Sequence, residues 1–169
     1  MGGDLVGAGA QWIPDAEYEF IESRVPIACV DVLLVSSGSR RKVGLILRDT
    51  YDGERGWCLV GGAVLRNEEV TSAALRHLKA TLGAGVSSKI RALEFLGVFE
   101  YFTERRRGEL YDPRKHAISI TYSSRVSEAI EVAVTGEAYD FAWFGQDDVV
   151  RNRCGFGQEA VIGKYFEQA

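Results

Sequence analysis

Residues 57–83, WCLVGGAVLRNEEVTSAALRHLKATLG, leave this chain few folds to choose from. A short apolar strand, 57–60, runs into Gly61 and Gly62, and a loop follows over 63–67. Residues 68–82 then read as a helix, because Val70, Ala73, Ala74, Leu78 and Leu82 recur at helical spacing. Gly83 supplies the stop. Asn67 suits the N-cap, with Glu68 and Glu69 placed against the helix dipole. Two adjacent glycines allow the backbone to turn sharply and to approach a ligand; a plain turn is the blander reading.

The rest of the chain supplies a sheet for that unit. Residues 15–24 suggest a helix between Pro14 and Pro26, with Ala16, Phe20 and Ile21 on one stripe. Residues 27–35, IACVDVLLV, are almost continuously apolar, as expected of a strand buried on both faces. A polar turn over 36–41 and a strand over 42–48 complete a hairpin. Strands are expected over 93–102 and 116–126, around a polar loop at 103–115. A short aromatic strand follows at 141–144, and a helical tail begins at 146–150. This order predicts an α/β (α+β) fold: one mixed sheet with helices on both faces. Residues 1–11 are small and Gly-rich and are expected to be flexible. Residues 12–169 form a single domain, a size and a 46% hydrophobic content that support a packed core.

The formal net charge of -4 argues against a nucleic-acid binder. Arg105, Arg106 and Arg107 form one basic run, either a solvated loop or a phosphate contact. Cys29, Cys58 and Cys154 lack metal-type spacing, and Cys29 and Cys58 read as small buried hydrophobes. No apolar run is long enough to span a bilayer, and the N-terminus lacks the basic flank of a signal peptide. A cytoplasmic, reducing setting is expected, with no membrane or nucleic-acid partner.

The 57–83 segment resembles the Nudix box: Gly, five residues, Glu, seven residues, then Arg-Glu-apolar-x-Glu-Glu-x-Gly. Gly62, Glu68, Arg76, Leu78 and Gly83 fall on matching positions without gaps, while the family's glutamates are absent at His77, Ala80 and Thr81. The resemblance implies an α/β/α sandwich in which Glu68 and Arg76 pair to hold the loop and helix in shape. It also implies Mg²⁺ or Mn²⁺ at the helix face carrying 77, 80 and 81, which lie together because residues three and four apart share a face. Alanine, threonine and histidine are poor ligands for a hard cation, so that metal site is expected to be weakened.

Over about 12–144 the chain is similar to the GDP-mannose mannosyl hydrolase branch, which opens on a Trp-led helix, as at Trp12, Pro14 and Pro26. That branch keeps a single key glutamate where this chain has Thr81. Carried over residue by residue, Glu137 replaces a metal-binding glutamine, and Ala138 replaces the histidine that acts as base. Ala63 replaces a diphosphate-contacting arginine, Arg48 matches another, and His116 aligns with a histidine near the sugar.

The expected function is hydrolysis of a nucleoside diphosphate-linked substrate, such as the nucleotide sugar GDP-mannose. The alternative is a catalytically inactive nucleotide- or sugar-binding or regulatory module. His116, His77 and Glu100 are candidate bases. Arg48, Arg114 and Lys115 are candidate phosphate contacts, and Gly62 with Glu137 is the candidate metal pair. The blander readings are a half-buried strand residue for His116, a surface residue for His77 and a solvated loop for Arg114 and Lys115. Homodimerisation, with the N-terminal helix contributing, is the remaining expectation.

Overall fold

Ile27–Ser36 forms the strand on which the other strands assemble (β1), and it is buried at every residue except Ala28. Both its edges are used, as its apolar run requires. A parallel partner, β6 (Ala117–Val126), runs beside its whole length. Its other edge is shared. Val60–Ala63 (β4) pairs antiparallel with Cys29 to Val32, and Val43–Asp49 (β2) takes over at Leu34 and Val35. Outside these lie β3 (Arg55–Cys58) and β7 (Ala138–Phe144) against β2, and β5 (Glu94–Tyr101) against β6. The result is a seven-stranded mixed sheet. The computed structural model describes residues 13–105 and 110–168; the expectations placed on 1–11, Trp12, Arg106 and Arg107 lie outside the described residues.

The helices are α1 (Asp15–Glu22), α2 (Val70–Leu82), α3 (Ala84–Ser87), α4 (Gln146–Arg151) and α5 (Glu159–Gln168). On α2 the expected apolar stripe is buried: Ala73, Ala74, Leu78 and Leu82 are fully enclosed, and the helix packs against β1 and β4. Gly83 ends it at φ 88°, where a side chain would be strained. The stripe expected on α1 does not pack inward, since that helix has no buried residue and Phe20 is 63% exposed. None of the described helices is long and apolar enough to cross a membrane.

Two local expectations around α2 need correction. Gly61 and Gly62 do not form a turn; they lie inside β4, opposite Asp31 and Val30. They are glycines because of what they face. A Cβ on Gly61 would lie 2.1 Å from Asp31 Oδ1 and 2.2 Å from the Val30 carbonyl, and one on Gly62 would lie 2.6 Å from the His77 ring. The sharp reversal falls instead on Asn67, at φ 62°. Asn67 is therefore not the cap. Glu69, with extended backbone at ψ 142°, occupies that position, so α2 begins at Val70, two residues after the expected start, and the Glu68 carboxylate is engaged by Arg76.

Candidate functional site

The loop between β4 and α2 is closed by one ion pair. Arg76 Nε donates to Glu68 Oε1 at 2.7 Å and Arg76 Nη2 donates to Oε2 at 2.8 Å, a bidentate geometry. The Leu65 N–H adds a third bond to Glu68 at 2.9 Å. The two side chains are 8% and 1% exposed, and the Arg76 guanidinium holds the Glu68 carboxyl below its usual range. Arg76 also donates to the Ala63 carbonyl at 2.9 Å, which places α2 against β4.

His77 uses the same carbonyl. Its Nε2 lies 3.0 Å from Ala63 O, and a carbonyl only accepts, so Nε2 carries the proton and Nδ1 is left as the basic nitrogen. The ring lies against the bare face of Gly62. Burial lowers its affinity for a second proton, which keeps the imidazole neutral near pH 7.

Beside α2 opens a cleft of about 420 Å³. It gathers Gly62, His77, Arg48, Arg114, Lys115 and Glu137 from the residues singled out in the sequence. Arg48 arrives from β2, where the register with β7 slips between Leu47 and Arg48, an irregularity that re-aims a side chain. Its guanidinium pairs with Glu137 at 2.8 and 2.7 Å, while its Nε is buried without a partner among the described residues. Arg114 makes a bidentate pair with buried Asp112, both bonds 2.8 Å. Lys115 donates to the Tyr18 hydroxyl at 3.0 Å and forms no ion pair among the described residues.

The floor was less legible in the sequence. Asp31, 8% exposed in the middle of β1, accepts from Ser119 Oγ at 2.6 Å and from Tyr101 Oη at 3.1 Å, both on Oδ2. Gln158 extends this network, donating to Tyr101 Oη at 2.8 Å and accepting from the Leu59 N–H at 2.8 Å. Burial raises the Asp31 carboxyl above its ordinary range, and raises the Tyr101 hydroxyl as well. An acid inside an apolar strand was the available signal for Asp31. No sequence pattern announced Gln158. The nearby thiols are inert, since burial pushes Cys29 up to about 11 and Cys58 up to about 12.

His116 and Glu100 are placed elsewhere. Side chains alternate across a strand. Lys115 and Ala117 face the cleft, as does Tyr101, so His116 and Glu100 point to the other side. There they lie 3.7 Å apart, and the His116 ring stacks 5.0 Å from Phe102.

The donor set does not fit Mg²⁺ or Mn²⁺. The α2 face offers an imidazole, a methyl and a hydroxyl at 77, 80 and 81. Gly62 and Glu137 both border the cleft, but both Glu137 oxygens are engaged by Arg48. Asp31 is held toward its neutral form, whereas a hard cation favours ionised oxygen. Among the described residues no group of three or more His, Cys, Asp or Glu could hold a metal ion.

A family model described as a domain of unknown function (DUF4916) matches residues 8–165. The chain belongs to this family. The low-salt glycan biosynthesis protein Agl8 of Haloferax volcanii is 33% identical over 110 residues, a match spanning 65% of each protein. Among solved structures, a possible asymmetric diadenosine tetraphosphate hydrolase from Jonesia denitrificans superposes with a TM-score of 0.74 at 24% identity, covering 85% of this chain and 94% of that one. The Nudix domain of Shewanella oneidensis NrtR, in complex with ADP ribose, gives 0.70 at 19% identity, covering 92% and 99%. The DUF4916 chain thus has the Nudix fold, as the 57–83 segment implied.

Proposed function

We propose that this protein hydrolyses a nucleoside diphosphate-linked substrate, a nucleotide sugar such as GDP-mannose, without a divalent cation held by α2. One observation carries the reading: Arg48, Arg114 and Lys115 converge on a single cleft that His77 also lines. Of the acids that line the same cleft, Arg114 binds Asp112 and Arg48 binds Glu137, while Asp31 is raised by burial and Lys115 forms no ion pair among the described residues. A diphosphate placed there meets fixed positive charge in a partly water-excluded site, where such charge stabilises a leaving anion most.

Water attacks the sugar carbon and the bond from that carbon to the diphosphate oxygen breaks. The electron pair leaves with the diphosphate, and the proton of the water passes to His77 Nδ1, the nitrogen that the Ala63 carbonyl leaves basic. The name of the Haloferax relative refers to glycan biosynthesis, and the Shewanella structure holds ADP ribose, itself a nucleoside diphosphate joined to a sugar. Both support a sugar-linked nucleotide.

Incubation with GDP-mannose in EDTA tests the reading. Free sugar and nucleoside diphosphate are the expected products, and His77→Asn lowers the rate by at least about 100-fold. A second reading, a binding module without chemistry, is favoured by the carboxylate-free face at 77, 80 and 81. It gains if the nucleotide sugar raises the melting temperature and is recovered unchanged.

A further inference from the structure

The segment that closes the cleft lies beyond the part of the chain similar to the mannosyl hydrolase branch. Within it Phe156, 7% exposed, has φ 59°, a left-handed conformation that bulky side chains rarely adopt. The segment is pinned around it. Gly155 N–H donates to Trp57 O at 3.0 Å, Tyr111 N–H donates to Phe156 O at 3.1 Å, and Gln158 is fixed by Leu59 and Tyr101. A strained residue held by this many bonds invites a functional explanation.

The ring supplies one. The guanidinium carbon of Arg114 lies 5.1 Å from its centroid and that of Arg48 lies 5.8 Å from it. The two arginines come from separate elements, β2 and the loop before β6, and both meet the Phe156 ring. Behind the ring stands Tyr51, at 5.8 Å, which in turn meets Tyr111 edge-on at 5.1 Å. Arg105, the described member of the basic run, donates to the Tyr51 hydroxyl at 3.1 Å.

We propose that Phe156 is a positioning residue of the anion site: its ring holds the guanidiniums of Arg48 and Arg114 in register for the two phosphates of one ligand. This rests on the nucleoside diphosphate reading above. Each guanidinium also pairs with one carboxylate, Arg48 with Glu137 and Arg114 with Asp112, and the π face adds a contact to both that brings no further negative charge. The arginines are thereby fixed before the ligand arrives, which lowers the ordering cost of binding.

The test is calorimetric titration of the full chain with GDP, the diphosphate product of the proposed reaction, and with inorganic pyrophosphate. Phe156→Leu keeps an apolar filler and removes the π face, and Phe156→Tyr restores the ring. Wild type and Phe156→Tyr are expected to bind both probes alike, while Phe156→Leu binds each about tenfold more weakly. Thermal unfolding run alongside confirms that the leucine variant is folded at the titration temperature. Phe156→Met, another filler without a ring, takes its place if it is not. Wild-type affinity in a folded leucine or methionine variant overturns the positioning role and leaves the diphosphate site standing. A wild-type protein that binds neither probe overturns both.

Discussion

Asp31 and Glu68 are acids that their surroundings treat in opposite ways. Burial raises the Asp31 carboxyl above its unfolded value of about 4, so the folded state holds that proton more tightly. Its contribution to stability is complete below about pH 4 and is lost as pH rises through the folded value. Glu68 is lowered by Arg76, so its contribution is present above about pH 4 and is lost as pH falls through its folded value. Urea unfolding across this range checks both signs. Asp31→Asn should flatten the decline on the alkaline side, and an unchanged profile would mean that the burial of Asp31 has no energetic consequence. Glu68→Gln leaves the Arg76 guanidinium buried without its anion and should cost about 3 kcal/mol, read as a lowered urea midpoint at neutral pH.

At the scale of elements, β4 and α2 act as one unit because glycine lets β1 and the His77 ring approach. Gly61→Ala sets a methyl against the Asp31 carboxylate and the Val30 backbone, neither of which can yield cheaply; a loss of about 3 kcal/mol or more is expected. Gly62→Ala presses first on the His77 ring, a side chain and not backbone, so it should lower turnover more than stability. A pair of assays, thermal unfolding and product formation, separates the two substitutions. Comparable stability losses from both would contradict this account. The elements themselves were legible where burial is one-dimensional. The run 27–35 had to be a central strand, and the stripe from Val70 to Leu82 had to be a buried helix face. The glycine pair misled because two glycines look the same in a turn and at a close strand contact, and only the partner strand distinguishes them. The side of the sheet taken by His116 and Glu100 was equally hidden, since each neighbours a polar residue, Lys115 or Tyr101, and one step along a strand reverses the face.

On the scale of the whole molecule, a chain of net charge -4 concentrates Arg48, Arg114 and Lys115 at one cleft. The matched Nudix positions revealed the frame, and with it the Glu68–Arg76 pair. The floor and the closing wall were not revealed, because Tyr101, Gln158 and Phe156 reach the cleft only when distant segments fold back onto β1 and β3. The frame is the part that sequence spacing specifies, whereas the ligand is chosen by residues that spacing does not connect. The cleft supplies the cations Arg48, Arg114 and Lys115 and a buried acid, Asp31, raised above its ordinary range, in place of the family's carboxylate cluster on α2. The measurement that bears most directly on this is titration of the protein with a nucleoside diphosphate, the product that turnover leaves unchanged, in EDTA and then in Mg²⁺, at low and at raised salt. Affinity should be the same with and without the metal, should fall as salt rises, and should be lost in Lys115→Ala combined with Arg114→Ala. Binding that requires Mg²⁺, or that survives removal of both cations, would contradict the account.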